Sequence, residues 1–250
     1  MDFLRSNTEW KQWGREDPLF GVASWAGKQK GCVSAWTDEE FYALGESDWR
    51  DFFRTWQQYG VSRESCLEVG CGAGRITRQL ANSFDRVEAV DVSEDMIKYA
   101  RGRVGAKNVQ FLVVDGIHLP QPDRSVGAIF STHVLQHLDD INIGLSYFHE
   151  FFRVLDSGGT IMVHLPLYEW PPERPKLGAL FNALFSLYTR LSDMKAQINR
   201  RQGARIMRYT PYPMRLLYSS LTAQGFRNIE FRVFPTSSNG HLHPFVLATK

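Results

Sequence analysis

Residues Leu67 to Thr77 read LEVGCGAGRIT, a short apolar segment that runs directly into a glycine-rich turn. The glycines of this turn are Gly70, Gly72 and Gly74. Missing side chains permit sharp backbone turns and let a ligand lie against the chain. The helix predicted to begin near Arg75 points its N-terminal amides at the same place, which favours a carboxylate or a phosphate. The stretch therefore predicts a strand, a ligand-binding turn and a helix in succession.

Short apolar runs alternate with longer mixed segments from Ser65 to about Leu165. The predicted strands are Ser65 to Val69, Arg86 to Val90, Val109 to Val114, Val126 to Phe130 and Thr160 to Leu165. The predicted helices between them are Arg75 to Ala81, a segment capped by Ser93, and Ile141 to Leu155 ended by Gly158 and Gly159. Strands that are apolar throughout suit a parallel sheet covered on both faces. The pattern predicts a doubly wound α/β sheet.

The end of the chain adds a helix and two further strands. The helix MRLLYSSLTAQ stops at Gly225, and the runs FRNIEFRVF and HPFVLATK are joined by PTSSNG, which contains turn residues and no helix. Strands joined in this way pair antiparallel. We therefore expect a mainly parallel seven-stranded sheet with a C-terminal antiparallel hairpin. The predicted organisation is a helical cap (1–64), an α/β core (65–165), a helical lid (166–210) and a C-terminal unit that completes the sheet (211–250).

The amino-terminal cap is rich in aromatic residues. Thr37 is predicted to cap one helix, and Asp48 a second helix that stops at Gly60. Its aromatic residues either wall a substrate pocket or attach short helices to the sheet. They are Trp25, Trp36, Phe41, Trp49, Phe52, Phe53 and Trp56.

Acidic residues follow two of the predicted strands. Ligands of open α/β sheets bind beyond the carboxyl ends of the strands. Asp91 lies 21 positions beyond Gly70 and is placed to accept hydrogen bonds from the hydroxyl groups of a ribose. Asp115 follows the third strand, where its carboxylate could accept from an exocyclic amine such as that of adenine. The implied ligand is an adenosine with an attached anionic group.

The spacing of the glycines bears on which adenosine ligand this is. The dinucleotide-binding fingerprint requires glycine at its first, third and sixth positions, which here are Gly70, Gly72 and residue 75. Residue 75 is arginine, and Glu68 stands two positions before the first glycine. The spacing argues against a nicotinamide or flavin dinucleotide.

These residues resemble the class I S-adenosylmethionine-dependent methyltransferases, in particular the small-molecule group similar to ubiquinone and menaquinone biosynthesis methyltransferases. The matching motifs are LEVGCGAGRIT, VEAVDVSEDMI, VVDGIHLP, VGAIFSTHVLQHL and LDSGGTIMVHL, in this order. The resemblance implies a Rossmann-like fold and S-adenosyl-L-methionine as cofactor. It implies that Glu68 and the glycine turn surround the methionyl part, that Asp91 holds the ribose and that Met96 packs on the adenine. The full cofactor-binding set that it implies is Glu68, Gly70, Cys71, Gly72, Gly74, Asp91, Val92, Met96, Asp115, Gly116, Ile117 and Thr132.

Two histidines leave strand ends on the ligand side. His133 follows the fourth strand and His164 ends the fifth. Histidine can take a proton from an acceptor near neutral pH, so both are candidate catalytic residues. Alternatively, they bond to loops or line the cavity without moving protons. His137 forms an HxxxH pair with His133, but no third ligand stands out, so we assign no metal site.

The predicted lid is apolar on one helical face and basic elsewhere. Residues Pro166 to Arg215 contain nine Lys or Arg against three Asp or Glu. The segment either covers an apolar substrate pocket, forms a homodimer face or docks on an anionic membrane surface, and we favour the lid. Its arginines could attract an anionic group on an apolar or aromatic substrate. They are Arg200, Arg201, Arg205 and Arg208. Scattered acids among the aromatics argue against a nucleic-acid partner.

The three cysteines lack metal-ligand spacing, and the first residues contain no apolar stretch suited to a signal peptide. We therefore expect a cytoplasmic protein. The predicted function is methyl transfer to an oxygen or nitrogen, less readily to a carbon, of a small organic molecule. Two alternatives are a nicotinamide-dependent oxidoreductase and a catalytically silent S-adenosylmethionine-binding partner protein.

Overall fold

The amino-terminal part of the chain forms three helices. The computed structural model describes residues 4–169, 207 and 209–250. The helices are α1 (Arg5–Glu16), α2 (Pro18–Val22) and α3 (Asp38–Tyr59). The Thr37 side chain accepts from the backbone N–H of Glu40, whose own side chain accepts from the N–H of Thr37. This capping box begins α3, and Gly60, with a φ of 104°, ends it in the left-handed conformation that glycine adopts without strain.

Asp48 does not cap a second helix, so that prediction is wrong. It lies inside the single 22-residue helix α3, where its side chain is buried. One carboxylate oxygen pairs with Arg75 and the other accepts from the hydroxyl of Ser238. A buried carboxylate is tolerated in a helix because its charge is compensated in this way. Sequence pattern alone does not reveal such partners.

The sheet has the predicted architecture. Its seven strands are β1 (Ser65–Val69), β2 (Arg86–Asp91), β3 (Val109–Val113), β4 (Val126–Ser131), β5 (Leu155–His164), β8 (Arg227–Pro235) and β9 (Leu242–Thr249). They lie in the order β3-β2-β1-β4-β5-β9-β8. Strands β1 to β5 are parallel, whereas β9 is antiparallel to β5 and to β8. The strand order reverses between β1 and β4, the place at which such sheets bind ligands.

Helices cover both faces of the sheet. They are α4 (Thr77–Ser83), α5 (Glu94–Val104), α6 (Ile141–Val154) and α7 (Met214–Gln224). Leu67, Ile129 and Ile161 face α6 and α7, while their neighbours Cys66, Ala128 and Met162 face α3 and α4. Successive strand side chains point to opposite faces, so a strand between two helical layers is apolar throughout.

The predicted end of α6 at Gly158 and Gly159 is wrong. The helix ends at Val154, and β5 begins at Leu155, which pairs with Val126. The glycines lie within β5: Gly158 donates its N–H to the carbonyl of Lys250, and the N–H of Lys250 donates to the carbonyl of Gly159. Lys250 therefore binds Gly158 and Gly159, although two consecutive glycines are typical of the end of a helix.

Most of the predicted lid, including its apolar stripe and the four arginines, lies outside the described residues. At its borders, the two-residue strands β6 (Leu167–Tyr168) and β7 (Tyr212–Pro213) pair in parallel. Within the part of the chain that the structure describes, no helix is long and apolar enough to cross a membrane.

Candidate active site

The glycine turn is fixed against the end of β2. The backbone N–H groups of Gly70 and Cys71 both donate to the carbonyl of Val90, at 2.8 and 3.0 Å. All three glycines have positive φ: 76° at Gly70, 51° at Gly72 and 84° at Gly74. A Cβ atom on Gly70 would lie 2.2 Å from a methyl carbon of Val134. Only glycine permits both this backbone and this approach.

Asp91 is bound to the same turn. One carboxylate oxygen accepts from the N–H of Gly72 at 2.9 Å, and the other accepts from the N–H of Ser93 at 2.9 Å. Burial raises the pKa of Asp91, against the effect of these hydrogen bonds. Each carboxylate oxygen has a second lone pair, so both can still accept from a ligand. The ribose contact predicted for Asp91 is therefore geometrically open.

Glu68 lies beneath the turn and is only 3% exposed. Burial raises the pKa of Glu68 to about 8, although a hydrogen bond from Thr77 and the charge of Arg75 lower it. The Thr77 hydroxyl donates to the carboxyl group at 2.5 Å. At neutral pH the carboxyl group is therefore mostly protonated and can donate a hydrogen bond.

One cavity of about 340 Å³ opens at the switch point of the sheet. The predicted site residues that line it are Glu68, Gly70, Cys71, Gly72, Asp91, Val92, Thr132 and His133. The Thr132 hydroxyl is buried and has no hydrogen-bond partner among the described residues. The structure thus brings together the ends of β1, β2 and β4, as expected from the sequence.

The remaining predicted cofactor residues do not line this cavity. Met96 is buried against Gly14 and Gly21 of the first two helices. The Asp115 carboxylate is directed at its own loop, accepting from the backbone N–H of Ile117 and His118 at 2.8 Å and pairing with the His118 ring. Gly74, Gly116 and Ile117 are also absent from the cavity wall. Their assignment to the cofactor remains a prediction.

Helix α1 closes the end of the cavity near Gly116. The side-chain amide of Asn7 donates to the backbone carbonyl of Asp115 at 2.7 Å, and Ser6, Asn7 and Trp10 line the cavity. A Cβ atom on Gly116 would lie 2.6 Å from the Asn7 side chain. Sequence reasoning missed these residues because the contact joins positions more than 100 residues apart, and no local pattern marks it.

The amino-terminal aromatics mostly attach the helices to the sheet. Phe41, Phe52 and Trp56 have no exposed surface, and Trp49 is also buried. Of the seven aromatics for which both alternatives were open, Trp25 lines the cavity. Attachment of helices to the sheet therefore describes the buried members of the set, and a role in substrate binding stays a prediction.

Three histidines meet at the wall of the cavity nearest β5 and β9. The His133 and His164 rings have centroids 4.2 Å apart, and His243 lies 5.4 Å from each of them. His133 has a φ of 57°, an uncommon conformation for a side-chain-bearing residue. Sequence reasoning missed His243, which lies in β9, although its place in an apolar strand was a usable signal.

Burial lowers the pKa of all three imidazoles, and that of His164 falls to about 3. The mutual repulsion of the protonated rings contributes to the lowering at His133 and His164. The three rings are therefore neutral near pH 7. A group with a pKa of about 3 is a weak proton acceptor, and His164 does not line the cavity, so its role as a catalytic residue stays a prediction.

The chain resembles methyltransferases in sequence and in fold. Residues 67–163 match the family described as a methyltransferase domain. The demethylmenaquinone methyltransferase of Deinococcus radiodurans is 33% identical over 64% of this chain and 67% of its own length. The malonyl-[acyl-carrier protein] O-methyltransferase of Hamiltonella defensa is 34% identical over 44% of this chain, which spans only 41% of that relative. The solved structure of the N-methyltransferase NodS from Bradyrhizobium japonicum, in complex with S-adenosylhomocysteine, superimposes with a TM-score of 0.55 at 14% identity, covering 98% of both chains.

Proposed function

The chain belongs to the family of S-adenosylmethionine-dependent methyltransferases, and on that premise we propose that it transfers a methyl group to a small organic molecule. The proposed acceptor atom is an oxygen or a nitrogen, and less readily a carbon. The observation that carries the proposal is that Asp91 and the glycine turn form one wall of a single cavity and His133 forms another. A methyl donor and its acceptor must meet in such a space.

The residues present fit the cofactor. The cavity volume of about 340 Å³ falls in the range of about 300 to 1,000 Å³ found for small-molecule sites. Asp91 offers two oxygens, each with one accepted bond. The unpartnered hydroxyl of Thr132 offers a further polar contact. We assign Asp91 with Val92 to the ribose, and Glu68 with the glycine turn to the methionyl part.

When bound, the cofactor supplies an electrophilic methyl group on a sulfonium. The protein must hold the nucleophile in line with that group and exclude water. Trp10, Leu44 and Tyr147 give part of the cavity wall an apolar character that suits this task. His133 is the proposed contact to the acceptor because its imidazole is neutral and lines the cavity. It can accept a hydrogen bond from a hydroxyl or amine.

The acceptor is proposed to be apolar or aromatic, in keeping with Trp10 and Trp25 at the cavity wall. Recognition of an anionic group by the arginines between 200 and 208, membrane contact by the predicted lid and homodimer formation are all proposals about residues outside the described part of the chain. A cytoplasmic location remains part of the proposal, and the three free thiols of Cys32, Cys66 and Cys71 are in keeping with a reducing compartment.

Two measurements test this function. Isothermal titration should show binding of S-adenosylhomocysteine and none of NADH; the reverse would overturn the proposal in favour of an oxidoreductase. Transfer of a radiolabelled methyl group is then measured over panels of phenols, carboxylic acids and amines. If S-adenosylhomocysteine binds and no member of the panels is methylated, the chain is the catalytically silent partner protein instead.

The role of His133 is tested with the acceptor that such panels identify. His133→Ala should lower turnover at least about tenfold while leaving the affinity for S-adenosylhomocysteine within about twofold. The matched control is His149→Ala, at an exposed histidine on α6. Turnover of His133→Ala equal to that of the control would remove His133 from the acceptor site.

A further inference from the structure

The histidines of the cavity wall come from three separate strand ends. His164 is the last residue of β5 and pairs across the antiparallel ladder with Phe245 of β9. His243 stands two residues before Phe245, so the side chains of His243 and Phe245 point to the same face of the sheet. The His164 side chain, which is paired with Phe245, points to that face as well. Diagonal neighbours of this kind lie within reach of long or aromatic side chains. The register of β5 and β9 therefore brings His164 and His243 together.

His133 reaches the same place by its backbone conformation. Ser131 at the end of β4 pairs with Val163, so the next residues of the two strands run side by side. The positive φ of His133, 57°, turns its ring toward His164. Such a conformation costs on the order of 1 kcal/mol or more and is concentrated at functional sites. The fold thus maintains an unfavourable backbone that places a third imidazole in the cluster.

Three ring nitrogens of this cluster have no hydrogen-bond partner within the described part of the chain. Among the residues that the structure describes, the Nδ1 atom of His164 and both ring nitrogens of His243 are buried without a hydrogen-bond partner. An unpartnered buried polar atom costs about 1–3 kcal/mol, so several in one place require an explanation. One nitrogen from each of His133, His164 and His243 can be chosen so that all three lie within 4.8 Å of one another.

We propose that His133, His164 and His243 bind one divalent transition-metal ion, with Zn²⁺ as the preferred ion. Three nitrogens at about 2.0–2.1 Å from a tetrahedral Zn²⁺ are about 3.4 Å apart, so the rings need to approach one another to complete the site. Imidazole is a ligand that suits Zn²⁺, and three protein ligands leave one coordination position open. His133 and His243 line the cavity, whereas His164 lies behind them, so the open position faces the cavity.

The ligand of that open position is proposed to be the oxygen or nitrogen of the methyl acceptor, a step that rests on the proposed function. A metal ion fixes the position of such an atom and lowers the pKa of a bound hydroxyl group. With the ion bound, His133 would act on the acceptor through the ion rather than by accepting a hydrogen bond from it. The chemical class of substrate implied is a small molecule with a hydroxyl or amine group next to an apolar or aromatic body.

Metal binding is tested on the full chain without a purification tag and with Cys32→Ser, which removes the exposed thiol. After dialysis against a chelator, Zn²⁺ is titrated calorimetrically and Co²⁺ is followed by visible absorption. We expect one equivalent of either ion and the strong visible bands of four-coordinate Co²⁺. Absence of saturable binding would overturn the proposal.

Variants locate the ion. Losing an imidazole ligand, His164→Gln or His243→Gln, should weaken Zn²⁺ binding at least about tenfold, because even loss of an outer-shell partner has an effect of this size. His149→Gln, an exposed histidine on α6, should leave binding unchanged. Retained affinity in both cluster variants would place the ion elsewhere and end the proposal. Circular dichroism checks that the variants fold. If a substitution in β5 or β9 prevents folding, His133→Gln is tested in its place.

Binding of S-adenosylhomocysteine is measured in the same samples. Metal binding without cofactor binding would overturn the proposed function and leave the metal site standing. Cofactor binding and turnover in metal-free protein, with no saturable Zn²⁺ binding, would overturn the metal site alone.

Discussion

The guanidinium group of Arg75 forms a buried ion pair with the carboxylate of Asp48, which joins the glycine turn to the middle of α3. Both side chains are less than 10% exposed, at 7% and 8%. The other Asp48 oxygen accepts from Ser238 in the loop between β8 and β9. Arg75, the residue that departs from the dinucleotide-binding fingerprint, thus connects the glycine turn to α3. Through Asp48, it also connects the turn to the loop between β8 and β9 at the edge of the sheet.

Removing Asp48 should be costly because Arg75 would be left buried without its partner. We expect Asp48→Ala to lower the free energy of unfolding by about 3–5 kcal/mol, measured by urea denaturation. Arg15→Ala is the control, because it breaks an exposed pair with Asp95 and should cost under about 1 kcal/mol. Equal losses in the two variants would contradict a stabilising role for the buried pair.

Adding one methyl group at Gly70 should disrupt the glycine turn. Gly70→Ala combines a φ of 76° with a Cβ atom 2.2 Å from Val134, and we expect a loss of about 2–4 kcal/mol in stability. Gly105→Ala is the matched control, since its φ is 64° and no neighbouring atom of the described residues lies within 4 Å of the added atom. The control should cost about 1–2 kcal/mol.

The same pair of glycine variants reports on cofactor binding. We expect Gly70→Ala to weaken S-adenosylhomocysteine binding at least about tenfold, because the displaced turn carries the Asp91 contact. Gly105→Ala should bind normally in the same calorimetric titration. An unchanged dissociation constant for Gly70→Ala would show that the turn does not contact the ligand.

The two acidic residues that follow strands can be distinguished by the same substitution. Asp91 lines the cavity, whereas the Asp115 carboxylate accepts from its own loop and from His118. Hydrogen bonds to a charged group are worth about 1.5–3 kcal/mol, so Asp91→Asn should weaken S-adenosylhomocysteine binding about tenfold or more. Asp115→Asn should change it by less than about threefold. A larger loss for Asp115→Asn would support the predicted contact of its side chain with adenine.

Glu68 should make the stability of the protein depend on pH. Its pKa is about 8 in the folded protein against an ordinary value of 4.5. Between these two values the folded state keeps a proton that the unfolded state releases, so stability falls as the pH rises. The contribution of this group should decrease by on the order of a few kcal/mol across that window.

Urea unfolding at pH 5 and pH 8, without cofactor, measures this effect. Glu68→Gln keeps the shape and an acceptor for the Thr77 hydroxyl but cannot ionise, so relative to the wild type it should gain stability at pH 8. Glu46→Gln, an exposed residue of α3, should show the wild-type pH dependence. A wild type and a Glu68→Gln variant that respond equally to pH would contradict the protonated state of Glu68.

Much of the core was predictable from local pattern. Short apolar strands, the cap at Thr37 and the glycine turn are each decided by interactions within a few residues, so their sequence signals are direct. Parallel pairing followed from the same signals, because apolar strands separated by helices must be covered on both faces. The position of the cavity beside Gly70 and Asp91 was also predictable, because ligands of such sheets bind beyond the carboxyl ends of the strands.

The errors share one physical cause. Aspartate is a residue type that often caps helices, and this suggested a helix start at Asp48. Its partners Arg75 and Ser238, which are 27 and 190 residues away, instead stabilise Asp48 at a position inside α3. Gly158 and Gly159 have the composition of a helix stop, yet the end of the chain binds them as part of β5. In both cases a distant contact outweighs the local preference.

By itself, the sequence determined the family and the strand–turn–helix unit, because these depend on short spacings along the chain, and the cofactor-binding residues stay a prediction. Only the tertiary structure decided that Asn7 covers Gly116, that Asp115 is directed at its own loop and that His243 joins His133 and His164. The register between β5 and β9 sets the last of these, and a register is fixed by the packing of whole strands rather than by any one residue.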